Sequence, residues 1–239
     1  MNLENQAPVP VPQEPSYSVP WRLMDNWIGV ILLALIDVAI LIFTLQSSKA
    51  KVAQSALVVF LELAFLLPVV LIFVWRGISW STIGFGGFNP AALGIGCGLL
   101  VGAYFLIIIH NLLLKALGVD TQGDEIVKVF AKLDSPVWFL IVGAIIAPLV
   151  EEIFFRGFLF QGFRAHYGWK VGILLSSAIF AAAHLDLVAF IPTFILGSVL
   201  AYLYHRSNSV WPGILLHFLV NAFGLLGAYF ASHPNLIPS

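Results

Sequence analysis

Two adjacent carboxylates and an arginine interrupt an apolar run in the middle of the chain. Glu151, Glu152 and Arg156 lie within residues 136–162, which are otherwise almost entirely apolar. Charged side chains are costly at membrane depth and are kept there mainly for function. On a helix, Glu152 and Arg156 share a face and can pair, whereas Glu151 lies about 100° away around the axis. The pattern predicts one carboxylate held by the arginine and a second one available for chemistry.

Two later segments carry imidazoles. His184 follows three alanines, and His217 and Asn221 are four residues apart, so that the amide can orient the imidazole on one helix face. If these helices face the glutamates, the set forms a water-activation site. A carboxylate acts as general base, and the imidazoles bind either a divalent metal or the attacking water. The asparagine and a histidine stabilise an oxyanion.

The composition defines the class of protein that positions these groups. Of 239 residues, 60% are hydrophobic and 10% are charged, whereas soluble domains carry about 25% charged residues. This predicts a polytopic membrane protein. A net charge of −1 argues against a broad nucleic-acid surface. The single cysteine, Cys97, excludes an intramolecular disulfide.

The hydropathy pattern predicts an all-α, polytopic transmembrane helix bundle of about seven spans, at roughly 20 apolar residues per span. The predicted spans are 27–45, 53–74, 90–117, 137–163, 171–185, 188–204 and 210–230. Residues 118–135 predict a short amphipathic helix at the membrane surface. Residues 1–20 are proline-rich and predicted to be disordered, and 21–239 form one membrane domain with its catalytic core at about 136–230.

Several other polar residues within predicted spans belong to no motif. Asp37, Glu62 and His110 are interpreted as interior groups or as groups lining a pathway. Asp186 follows His184 closely and is interpreted as an interfacial residue, with steering of the imidazole as the alternative.

The three motif segments resemble a known family. EEIFFRG at 151–157, FAAAH at 180–184 and HFLVN at 217–221 resemble the CPBP intramembrane proteases, which include the CAAX prenyl endopeptidases and the bacteriocin-processing or Abi proteins. The family pattern is Glu-Glu-x-x-x-Arg, then Phe-x-x-x-His, then His-x-x-x-Asn. All three motifs occur here in order on separate predicted spans, and the resemblance covers about residues 136–230.

The resemblance implies an intramembrane endopeptidase that hydrolyses a peptide bond of a membrane-associated or lipidated peptide or protein. Glu151 would activate water, supported by Glu152 and Arg156, while Asn221 would help to form the oxyanion site. His184 and His217 would bind metal or water. A divalent metal, with zinc as one candidate, would be held by these two histidines and Glu151, and a metal-free glutamate mechanism is the alternative.

The expected partners are the substrate peptide and the lipid bilayer, with no nucleic acid, and the expected location is a bacterial-type cell membrane. Two other functions remain open at this point. One is a noncatalytic membrane scaffold or bacteriocin-immunity-type protein with the same fold. The other is a transporter or a bis-histidine haem protein, which would leave the paired glutamates unexplained.

Overall fold

A computed structural model describes residues 17–46, 62–133 and 136–236. Within these ranges the chain is helical and contains no strand, so the predicted all-α transmembrane helix bundle is confirmed. Three of the described helices are long and apolar enough to cross a membrane: Ala91–Ala116, Val137–Ala183 and Trp211–Ser232. The predicted number of about seven spans is supported only loosely by these three.

The amino-terminal part of the bundle contains α1 (Leu23–Gln46), α2 (Leu66–Arg76) and a 3₁₀-helix (Trp80–Ile83). Asp25 in the first turn of α1 pairs with Arg76 at the end of α2, with 2.7 Å between Oδ1 and Nη2. Gly77 then ends α2 in the left-handed conformation, which glycine adopts without a Cβ clash. The first predicted span agrees with α1, and the second lies partly outside the described residues.

The next two helices are α3 (Ala91–Ala116) and α4 (Gln122–Phe130). A capping box starts α4: Asp124 N donates to Thr121 Oγ1 at 3.4 Å, and Thr121 N donates to Asp124 Oδ2 at 2.9 Å. Phe130 at its end is buried in a cluster with Leu225 and Ala228. The short helix predicted within 118–135 is therefore confirmed, and its position at the membrane surface stays a prediction.

A long composite helix, Val137–Ala183, forms the centre of the bundle. It consists of α5 (Val137–Ile141), a first π segment (Val142–Ile146), α6 (Ala147–Glu151), a second π segment (Glu152–Phe160) and α7 (Gln161–Ala183). Gly168 breaks α7 with a φ of 79°. This break lies between the predicted spans 137–163 and 171–185.

The second π segment is the core of the molecule, because all nine of its residues are buried. Phe154, Phe155 and Phe158 are completely inaccessible. Phe73 from α2 and Phe180 from α7 pack against these rings. Since the segment that carries Glu152 and Arg156 is surrounded by other helices, its charges are enclosed by protein.

The remaining elements are α8 (Phe190–Ser207), α9 (Trp211–Ser232) and a 3₁₀-helix (Pro234–Leu236). A Cβ on Gly197 of α8 would lie 3.0 Å from Phe180 Cδ1, so this glycine permits α8 to approach α7 closely. Tyr204 donates its hydroxyl to Ile83 O at 3.0 Å and joins α8 to the first 3₁₀-helix. The last two predicted spans agree with α8 and α9.

Most of the predicted disordered segment, residues 1–20, lies outside the described residues. Its described end begins at Tyr17, whose ring centroid is 3.9 Å from Arg164 Cζ. Val19 packs against the hydrophobic core. The division into a tail and one membrane domain stays a prediction.

Candidate active site

A cavity of about 730 Å³ lies between the helices. It brings together four of the six predicted site residues, which line its wall: Glu151, His184, His217 and Asn221. The other two, Glu152 and Arg156, lie behind that wall and are 0% and 1% exposed. The three motifs therefore meet at one place, as the sequence analysis expects.

Glu152 and Arg156 form the predicted ion pair, with 2.9 Å between Oε1 and Nη1. Arg156 also donates Nη2–H to Gly197 O at 3.4 Å, and its Cζ lies 4.3 Å from the centroid of the Phe180 ring. A buried charge is retained when it is paired and hydrogen-bonded. The pair therefore fixes the position of the Glu152 carboxyl group, whose oxygens can accept hydrogen bonds.

His217 lies between the two glutamates. Its Nδ1 is 3.2 Å from Glu152 Oε1, and its Nε2 is 3.6 Å from Glu151 Oε2. Because Glu152 only accepts, Nδ1 carries the proton that is donated. In this arrangement Nε2 is the ring nitrogen on the side of Glu151.

Asn221 has a different partner from the one that its spacing predicts. The amide donates Nδ2–H to Gly143 O at 2.9 Å, so the partner that orients His217 is Glu152, and the predicted orientation by Asn221 is wrong. Gly143 lies in the first π segment, where the wider helical turn changes the backbone pairing and makes a carbonyl available to a neighbouring helix. Asn221 keeps a second N–H for the cavity, which it lines.

His184 is exposed and lies at the end of α7. Its Nδ1 is 2.8 Å from Phe180 O, and since a carbonyl only accepts, Nδ1 is the donor in this contact and Nε2 is left for other partners. Asp186 accepts from the backbone N–H groups of Val188 and Ala189 at 2.9 and 3.2 Å. Asp186 therefore shapes the turn before α8, and the backbone orients His184.

Phe180, the aromatic residue of the second motif, contacts both imidazoles. Its ring centroid is 4.9 Å from that of His184 and 5.9 Å from that of His217, with interplanar angles of 74° and 79°. Edge-to-face contacts of this kind are favourable. The Phe180 side chain therefore packs against both histidine rings.

Two carboxylates outside the motifs, Asp37 and Glu62, line the same cavity as Glu151. Both therefore face the interior of the bundle, and a role in lining a pathway stays a prediction. Their interior position could have been predicted from the sequence, because carboxylates within membrane spans usually face the interior of a bundle. Hydropathy alone does not tell which of the charged residues inside the bundle line the same cavity.

The two histidines have the proton arrangement typical of metal-ligating imidazoles, in which one nitrogen donates to a carboxylate or a backbone carbonyl. Among the described residues, however, no three side chains of histidine, cysteine, aspartate or glutamate are grouped so that they could hold an ion. The predicted set of His184, His217 and Glu151 is thus not gathered as a three-ligand site in this arrangement. The metal stays a prediction, and no step below depends on it.

Comparison with known proteins agrees with the motifs. Residues 133–223 match the family model described as "Type II CAAX prenyl endopeptidase Rce1-like". The match covers less than half of the chain and includes all three motif segments. It confirms the predicted resemblance to the CPBP family.

Three curated proteins are each similar to about half of this chain. An Escherichia coli protein called "Uncharacterized 24.3 kDa protein" is 33% identical over 55% of this chain and 64% of its own length. The Bacillus subtilis "Putative membrane peptidase YdiL" is 27% identical over 44% of this chain and 43% of its own. "UPF0177 protein YxdF" of Lactococcus lactis is 29% identical over 52% of this chain and 73% of its own length.

The chain thus spans less than two thirds of the length of the first two relatives. No solved structure gives a significant match. Together with the three candidate spans, these comparisons identify an integral protein of a bacterial-type membrane.

Proposed function

We propose that this chain, whose motif-bearing region matches the Rce1-like family, is a membrane-embedded endopeptidase that hydrolyses a peptide bond with water activated by Glu151. The observation that carries the proposal is that the two adjacent glutamates lie in different environments. Glu152 is completely buried and held by Arg156, whereas Glu151 faces the cavity. One carboxylate is fixed as a structural anion and the other is accessible to a reactant.

The attacking water would bind between Glu151 and His217. The two facing atoms, Oε2 and Nε2, are 3.6 Å apart, which is too far for a strong direct hydrogen bond, and a carboxylate beside a neutral imidazole would make both of them acceptors. One water can donate a proton to each of them. A base at hydrogen-bonding distance from the proton that it removes is the geometric requirement for general base catalysis.

The reaction then proceeds through the groups of the chain. Glu151 takes a proton from the water as its oxygen forms a bond to the scissile carbonyl carbon. The carbonyl oxygen becomes an oxyanion in the tetrahedral intermediate, and collapse of this intermediate breaks the C–N bond. Glu151 returns the proton to the departing nitrogen, so the products are an acid and an amine and the enzyme is regenerated.

Asn221 would stabilise the oxyanion. Its amide is held by Gly143 O and lines the cavity, so its remaining N–H would be positioned before substrate binds. Preorganised donors of this kind stabilise developing charge without reorganisation during the reaction. The neutral His184 ring presents an acceptor at Nε2 and would orient a substrate N–H or a second water.

The proposed substrate is a membrane-associated or lipidated peptide. The cavity lies within a bundle whose surface is rich in exposed apolar side chains, so a substrate held in the bilayer can reach it along the helices. The amphipathic helix α4 contributes Gln122 and Ile126 to the cavity wall. This helix therefore lies beside any path that the substrate takes.

Cleavage of a library of membrane-inserted and lipidated peptides by purified protein tests the proposal. We expect the native protein to cleave at least one class of peptide and Glu151→Gln to cleave none while keeping its thermal midpoint. Glu125→Gln on α4 is the matched control, because Glu125 has an exposed side chain that pairs with Lys128, and it should behave like the native protein. Full activity of Glu151→Gln would reject this mechanism.

A noncatalytic scaffold or immunity-type protein is the alternative. It would retain its biological effect in the Glu151→Gln variant, since a binding function does not need the general base. The transporter and haem alternatives account for neither the buried Glu152–Arg156 pair nor its link to His217.

A further inference from the structure

We propose that Gly213 is a positioning residue that places Glu152 and thereby sets the proton arrangement of His217. Gly213 lies in the first turn of α9 and is buried. A Cβ at this position would lie 2.5 Å from Glu152 Oε2 and 3.3 Å from Glu152 Cδ. The carboxylate therefore occupies the space that any larger side chain would fill.

The contact is specific to the carboxylate. All three of the nearest atoms to such a Cβ belong to Glu152. Oε2 is buried and has no hydrogen-bond partner among the described residues, so what holds it is the close approach to α9. The positive end of a helix macrodipole favours a negative group at the first turn, which is consistent with an ionised Glu152 there.

Gly213 and His217 are four residues apart and lie on the same face of α9. On this face Gly213 leaves room for Glu152 Oε2. One turn later, the His217 ring lies against Glu152 Oε1. The same spacing separates His217 from Asn221. Three successive positions on one helix face therefore serve the site, and the first of them acts by lacking a side chain.

An alanine at position 213 would displace the Glu152 carboxylate from α9. The contact of Oε1 with His217 Nδ1, at 3.2 Å, would lengthen or break, and the ring would lose the group that keeps its proton on Nδ1. The lone pair of Nε2 would then no longer be reserved for the side of Glu151. The catalytic consequence rests on the proposed function, whereas the proton arrangement of His217 does not.

The direct test is nitrogen NMR of protein labelled with ¹⁵N-histidine in detergent. The chain has six histidines, and the signal of His217 is identified by its loss in His217→Gln. We expect His217 to be protonated at Nδ1 in the native protein and to shift toward protonation at Nε2 in Gly213→Ala. Gly227→Ala is the control, because Gly227 lies on the same helix and a Cβ there meets nothing within 4 Å among the described residues.

Shortening the side chain at position 152 should reduce the loss of stability caused by Gly213→Ala. Glu152→Asp withdraws the acid from α9, so Gly213→Ala should be less harmful in that background, as expected for two residues in contact. Thermal midpoints of the two single variants and the double variant measure this without substrate. If Gly213→Ala lowers the midpoint equally in both backgrounds, or leaves the His217 signal as it is in Gly227→Ala, the proposal is overturned.

If the proposed cleavage is found, Gly213→Ala should lower kcat by about 100-fold, since a misplacement of about 1 Å costs that much, with KM nearly unchanged. If no cleavage is found with the native protein, the proposed function fails, and the NMR and midpoint results still decide the role of Gly213.

Discussion

His217 Nδ1 lies 3.2 Å from Glu152 Oε1, so the two side chains are within hydrogen-bonding distance. Both side chains are buried, so this hydrogen bond is protected from competing water. It joins the first motif to the third, and it leaves the other ring nitrogen for Glu151. The contact thus joins the second glutamate of the pair to a histidine 65 residues away in sequence.

Loss of the buried arginine should destabilise the protein strongly. Arg156→Met leaves the fully buried Glu152 without its ion-pair partner, and removing one member of a buried pair costs about 3–5 kcal/mol. Reversible unfolding in detergent measures this change. Lys128→Met is the control, because the ion pairs of Lys128 are exposed and such pairs contribute little. Equal stability of the two variants would contradict the role of the ion pair.

Asn221→Ala should lower kcat far more than it changes KM. Removing one oxyanion donor typically costs about 100- to 1,000-fold in kcat. Asn111→Ala is the matched control, since Asn111 also lines the cavity but belongs to no motif. Steady-state kinetics on a cleaved peptide separates the two parameters. A change confined to KM would mean that Asn221 binds substrate and does not stabilise the oxyanion.

Chelation should leave cleavage intact under the mechanism proposed here. Each step of that mechanism is assigned to a side chain of the protein. Activity would be measured before and after treatment with a chelator, with elemental analysis to verify metal removal. Loss of activity that added zinc restores would instead establish the predicted divalent metal as part of the reaction.

Helix α4 should loosen at acidic pH. Hydrogen bonds from the backbone and side chain of Thr121 lower the pKa of Asp124. The contribution of this group to stability is therefore fully present above its unfolded pKa and is lost as the pH falls through the lower folded pKa. Hydrogen exchange of the α4 amides over this pH range measures the effect. The protection of these amides against exchange should depend less on pH in Thr121→Ala. If the protection depends on pH as it does in the native protein, Thr121 is not what lowers the pKa of Asp124.

The sequence by itself determined the class of fold and the chemical groups of the site. Apolar runs with few charges dictate membrane helices, because backbone polar groups must be paired inside a bilayer. The four-residue spacing of Glu152 and Arg156 predicted their ion pair, since local helical geometry alone brings them together. The break at Gly168 and the short helix α4 were also predicted from local signals.

Only the tertiary structure decided which distant groups meet. His217 contacts Glu152 and not its helix neighbour Asn221, because the packing of α9 against the composite helix places that carboxylate closer. The partner of Asn221, Gly143 O, depends on a π segment that no hydropathy pattern marks. Asp37 and Glu62 join the cavity, and Gly213 admits Glu152, through contacts between helices. Such contacts depend on how side chains of separate helices fit together, and the periodicity of one helix does not contain that information.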